Sequence, residues 1–153
     1  MKIDDFNVYT GYERTIISKN VNGNWYGGYE LQVTNNGWFT FTGNFGGQNH
    51  ANGFQFENYN WNNITVTYDG YISRLYLNGI LMSENEEGNG SIQTSELPLR
   101  FGRNADSGSA PDYLDGVLNK VIFWDLVLTQ AEIQNNMYAD LTGDEEGLVG
   151  YWK

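Results

Sequence analysis

The chain contains no cysteine, so neither disulfides nor a thiolate metal site hold its fold, and the redox compartment is left open. Cationic side chains are scarce: 8 Lys and Arg stand against 19 Asp and Glu, for a formal charge of −11. A nucleic-acid backbone or an anionic membrane would be repelled, which argues against both as partners. No apolar run approaches the roughly 18 to 20 residues of a membrane span, and "MKIDDFNVYTGY" at 1 to 12 has no signal-peptide apolar stretch. Membrane insertion is not expected, and a secreted form would be a mature or excised piece. Histidine occurs once and proline twice.

What is abundant points to strands. Aromatics make up 16% of the 153 residues, with 11 Tyr and 5 Trp, and there are 19 Gly. Aromatic and turn-forming residues together favour many short strands. The length suits one domain, residues 1–153. In "TVTYDGYISRLYLNGILM" (65 to 82), Asp69-Gly70 and Asn78-Gly79 each separate alternating apolar runs. Both dipeptides favour type I′ hairpin turns, so a three-stranded meander is expected. Ile64, Val66 and Tyr68 share one face of its first strand, Thr65 and Thr67 the other.

Further strands are expected at 15–18, 29–34, 38–42, 53–56, 63–68, 72–77, 80–83, 99–102, 117–124 and 148–152. Regular turn signals between them imply an all-β, two-sheet antiparallel sandwich. One segment breaks the period: in "LVLTQAEIQNNMYADL", Thr129 and Glu132 have capping-box spacing. They predict one short helix near the C-terminus, with Leu128 and Ile133 as a hydrophobic staple and Ile133 and Met137 facing the sandwich. "TGNFGGQNHANG" (42 to 53) and "GRNADSGSAPDYLDG" (102 to 116) have the composition of long surface loops.

The ordered set "RTIISKN", "GYELQV", "WNNITVTYDG", "RLYLNGILM", "LRFG", "YLDG", "VIFWDLVLTQAEI" and "GLVGYW" resembles the laminin-G-like branch of the concanavalin A-like lectin/glucanase superfamily. The resemblance spans nearly the whole chain and implies a jelly roll of two curved antiparallel sheets. Domains of this type usually begin with a further strand and continue past "GYW". Both ends look short here, so a neighbouring chain or domain could supply an edge strand, or a homo-oligomer could form through the exposed sheet edge.

Part of that superfamily hydrolyses β-glucans, and retaining hydrolysis needs two carboxyl groups ~5 Å apart. The laminarinase motif Glu-x-Asp-x-x-Glu does not occur. Glu84 and Glu86, and Asp144 to Glu146, fall in polar stretches that read as solvated loops, and His50 sits in Gly/Asn-rich sequence where exposure is expected. No catalytic residue is assigned. Sugar recognition requires an apolar ring to face a pyranose and directional polar groups for its hydroxyls. Trp25, Tyr26, Trp61 and Tyr113 with Asn44, Gln48, Asn49 and Asn104 supply both near loops, whereas Trp38 and Trp124 read as core. Calcium favours clustered oxygen ligands. Asp106, Asp112 and Asp115 offer them, and the resemblance implies calcium near the rim of the sandwich, although Asn119 and Lys120 stand where the family places an acidic pair.

The expected function is a non-catalytic binding module for glycan or a surface protein. It would act in adhesion at an extracellular or particle surface, as part of a larger protein. The alternative is a structural or assembly domain of an extracellular or viral particle.

Overall fold

The computed structural model describes residues 1–4, 13–19, 27–56, 59–93, 96–104 and 113–153. Trp25, Tyr26, Asp106 and Asp112 lie outside them. The protein is an all-β sandwich with one short helix. Its first layer is a five-stranded antiparallel sheet in the order β5-β4-β3-β2-β9, from β2 (Glu13–Ser18), β3 (Tyr29–Thr34), β4 (Trp38–Phe45), β5 (Gln48–Gln55) and β9 (Arg100–Phe101). Facing it is β6 (Ile64–Tyr68), β7 (Ser73–Leu77) and β8 (Ile80–Asn85), with two two-stranded pieces. One pairs β1 (Lys2–Ile3) with β10 (Gly116–Val117), the other β11 (Val121–Trp124) with β12 (Leu148–Trp152).

Alternation decides which side chains meet. Phe39, Phe41 and Phe45 on β4, Leu31 and Val33 on β3, Phe54 on β5 and Leu75 and Leu77 on β7 form the buried core, with Ile64, Val66 and Tyr68 packed against it. Phe39 stacks on Phe54 with ring centroids 5.5 Å apart, and Phe45 lies 4.3 Å from Tyr68. The apolar face of β6 is therefore the predicted one, but Thr67 on the other face is buried too.

The segment 42–53, expected as a surface loop, is instead the tip and second arm of the β4–β5 hairpin. Its eight-residue register runs from Trp38↔Gln55 to Phe45↔Gln48. The turn is Gly46-Gly47, with φ of 60° and 88°, the double positive φ that a two-residue hairpin turn demands. Asn, Gln and His in β5 disguise it, because their low strand propensity hides the alternation. Asn44 is consequently buried (3% exposed) rather than at the surface, and its Oδ1 accepts from the Gly47 amide at 3.0 Å.

The two meander turns differ. Asn78-Gly79 takes φ of 50° and 75°, as expected. At Asp69-Gly70 only glycine has positive φ, because the Asp69 carboxylate accepts from the Tyr71 and Ile72 amides (2.9 and 2.7 Å) and spreads the turn over more residues. Glu84, expected in a solvated loop, lies on β8 beside Arg74 at 2.6 Å. The single strand expected over 117–124 is split into β10 and β11. The helix α1 (Gln130–Asn136) carries the predicted capping box, with Thr129 and Glu132 bonding reciprocally and Ile133 buried.

At one edge the layers are joined by polar side chains. Asn52 Nδ2 donates to the Ser73 carbonyl (2.8 Å) and Oγ (3.1 Å), Ser83 Oγ donates to Asn52 Oδ1 (2.5 Å), and Asn85 Nδ2 donates to the Ala51 carbonyl (2.8 Å). His50 Nε2 shares a 2.7 Å hydrogen bond with Ser73 Oγ. A seam of satisfied buried groups specifies one alignment of the layers.

Because Phe45 is fully buried against Phe41, His50 and Tyr68, Phe45→Ala is expected to lower the unfolding free energy by ~3–5 kcal/mol in urea titrations. A loss within ~0.5 kcal/mol would contradict the hairpin register.

Candidate functional site

The same alternation that buries Phe39 and Phe41 turns Trp38, Thr40 and Thr42 to the outside of the five-stranded sheet. Across the strand, Trp38 is paired with Gln55, Thr40 with Gly53 and Thr42 with Ala51. Trp38 is 43% exposed, which corrects its assignment to the core. It shares parity with threonines rather than phenylalanines, and that signal is present in "WFTFT".

Gly53 makes room for it. A Cβ at this position would lie 2.8 Å from the indole Nε1 and 2.6 Å from the Phe39 carbonyl, so the ring rests across bare backbone of β5. Around it, Ala51 and Gln55 are exposed and Thr40 is half-buried. Gln55 Nε2 donates to the Asn36 carbonyl at 3.1 Å, leaving its amide oxygen directed by that bond. Thr34 Oγ1 accepts from the Trp38 amide at 3.1 Å and pins the start of β4. Toward β2 the same face becomes buried and polar, with Thr15 Oγ1 donating to the Glu30 carboxylate at 2.6 Å. The face is thus a flat aromatic ring bordered by amides and hydroxyls on rigid strands.

The residues expected to bind from sequence are not brought together. Gln48 is exposed at the start of β5, beside the hairpin tip, and Asn49 follows it on that strand. Trp61, half exposed, precedes β6, whereas it is Tyr68 at the far end of β6 that meets Phe45 near the tip. Trp61 and the tip are therefore at opposite ends of β6. Asn104 and Tyr113 flank the edge beyond β9, where the Arg103 guanidinium sits 5.8 Å from the Tyr113 ring centroid. Of the metal candidates only Asp115 is described; its carbonyl accepts from the Asp4 amide at 3.1 Å. Among the described residues no three His, Cys, Asp or Glu side chains group to hold a metal, so no step is assigned to calcium here.

His50, expected to be exposed, is 3% exposed, and its partner Ser73 is wholly buried. A nucleophile must be reached by substrate, so this pair is a packing element. Burial pulls the imidazole below its ordinary 6.5, opposed by the Glu87 carboxylate. Among the described residues no helix is long and apolar enough to cross a membrane.

The Laminin_G_3 family model, of the concanavalin A-like lectin/glucanases superfamily, matches residues 2–134, and the chain belongs to this superfamily. No curated protein matches it by sequence. A Bacteroides ovatus protein, described as a presumptive carbohydrate-binding protein, superposes with a TM-score of 0.76 at 20% identity over 99% of this chain and 42% of that one. A mutant of HCR/D superposes with a TM-score of 0.56 at 15% identity over 88% of this chain and 34% of that one. The chain thus spans less than half the length of either solved protein, and at these identities the likeness is one of fold.

A neutral His50 makes stability depend on pH. The unfolded chain takes up the proton near 6.5 and the folded one only at lower pH, so stability present above 6.5 is lost as pH falls from there toward the lowered folded value. The unfolding free energy of the wild type relative to His50→Gln should fall between pH 7.5 and 5.5. A pH-independent difference would contradict the burial of a neutral ring.

Proposed function

We propose that this member of the concanavalin A-like lectin/glucanase superfamily is a non-catalytic carbohydrate-binding module that receives a sugar ring on Trp38. The observation that carries this reading is the half-exposed indole lying on the polar outer face of β4 and β5. The C–H face of a pyranose packs on such a ring, and the amide of Gln55 and the hydroxyl of Thr40 are the neighbouring hydrogen-bonding groups. Rigid strands hold these groups in place before the ligand arrives, which reduces the ordering cost of binding. The description of the Bacteroides ovatus protein as carbohydrate-binding supports the same reading. A binding rather than a hydrolytic role is supported by the absence of the laminarinase acid motif from the sequence. We place the module at an extracellular or particle surface, within a larger protein.

A screen of the purified chain on a broad glycan array tests the proposal, with the wild type and Trp38→Ala compared. Selective binding that Trp38→Ala weakens at least ~10-fold, in keeping with loss of an aromatic platform, is the expected result, with the melting temperature held within a few degrees. Undiminished binding by Trp38→Ala would move the site elsewhere, first to Trp61 or Tyr113. The same screen run with calcium and with chelator tests calcium assistance. Loss with chelator would direct attention to residues 102–116, and no change would remove calcium from the account.

The second reading, an assembly domain whose partner is protein, is favoured by one specific observation: β6 and β11 each keep a free edge on the second layer.

A further inference from the structure

Between those two edges lies an open cleft of about 740 Å³. Its floor is the core face of the first layer, including Tyr29, Leu31 and Phe41, and its walls are the whole of β6 and the stretch 118–128 that contains β11. In the ladders, β6 pairs only with β7 and β11 only with β12.

The edge of β6 can be read residue by residue. Asn62 and Met1 exchange both backbone bonds, Asn62 N–H to the Met1 carbonyl at 2.7 Å and the Met1 ammonium to the Asn62 carbonyl at 2.6 Å. Asn63, one residue on, instead accepts from the Asn78 amide on the β7 side at 2.8 Å. Successive backbone groups of an antiparallel strand alternate between its two sides. Ile64, Val66 and Tyr68 therefore present their N–H and C=O groups to the cleft, and no described residue bonds them. Six polar backbone groups stand at the wall of an apolar cleft, the arrangement that invites another strand.

Two registers converge on the same line. The Met1–Asn62 pair is antiparallel, so an extended chain continued backward from Met1 would run beside Ile64–Tyr68. The β1–β10 pairing, Lys2↔Val117 and Ile3↔Gly116, carries that same backward line past 118–120 to lie beside Val121–Trp124. One strand of about five residues, at ~3.3 Å per residue, would span both edges.

We propose that this cleft receives one extended strand from a separate polypeptide, which completes the second layer by bonding β6 and β11 at once and ends with its C-terminal carboxylate against the Met1 ammonium. The strand is apolar on alternate residues, the face that meets Tyr29, Leu31 and Phe41. Its direction follows from the registers, since its C-terminal end is the one in line with Met1. Charge complementarity sets the end group: the ammonium is partly desolvated, which lowers its pKa from the ordinary 8.0, and a carboxylate there restores a charged partner. The site is separate from the Trp38 face and independent of the glycan reading.

The test titrates the full chain with acetyl-Val-Thr-Val-Thr-Val bearing a free carboxylate, with its C-terminal amide, and with the form N-methylated at alternate amides. Trp61 fluorescence and the amide resonances of Ile64, Val66 and Tyr68 are followed. The proposal expects saturable binding of the carboxylate peptide with shifts at those three amides, affinity about tenfold weaker for the amide form, and no binding of the N-methylated form. It is overturned if no peptide binds at millimolar concentration or if the N-methylated form binds equally well. Decanoate filling the cleft without competition from peptide would also overturn it, as would a peptide-free dimer that protects the three amides.

Discussion

The two-residue turn at Gly46-Gly47 sets the parity of β4 and β5, and the rest of the molecule depends on that parity. A slip by one residue would send every side chain of a strand to its opposite face. With the turn where it is, Phe39, Phe41, Phe45 and Phe54 point inward together. His50 and Asn52 then face β7, where they bond Ser73. The outward residues, Trp38, Thr40, Ala51 and Gln55, become a face that can meet a ligand. Core, seam and candidate site are three consequences of one constraint. The tip is guarded sterically as well, since a Cβ at Gly46 would lie 1.5 Å from the Asn89 carbonyl.

Most of the fold was legible in the sequence because its strands alternate plainly. The β6–β8 meander, the Asn78-Gly79 turn and the capped helix each carry a local signal whose physics is short-range, and each formed as expected. What escaped was β5. Its inward positions are His50, Asn52 and Phe54, and two polar residues among the three erase the apolar period on which strand recognition relies. Their partners, Ser73 and Ser83, lie more than twenty residues away in sequence, and nothing local reveals that a histidine and an asparagine will be satisfied there. Once β5 was taken for a loop, Asn44 and His50 were assigned to the surface, although both are buried.

The candidate site shows the opposite case. Trp38 was assigned to the core because tryptophan is large and apolar and has phenylalanine beside it. Its parity with Thr40 and Thr42 says otherwise, and parity is the stronger argument where one sheet face is packed. Trp61, Tyr113 and Gln48 were chosen for exposed chemistry, and exposed they are, but at separate places on the sandwich. Sequence position gave the chemistry of each residue; only the pairing of strands gave its neighbours.

The lack of cysteine makes a direct test of the hairpin parity available. Single cysteines introduced as Ala51→Cys, Asn52→Cys and Gln55→Cys would be followed by the rate of reaction with a water-soluble thiol reagent under native conditions. The account predicts fast labelling at 51 and 55 and strong protection at 52, in line with exposed Ala51 and Gln55 and buried Asn52. Equal labelling at all three positions would show that 48–55 is a loop, and the aromatic face built on Trp38 would lose its support.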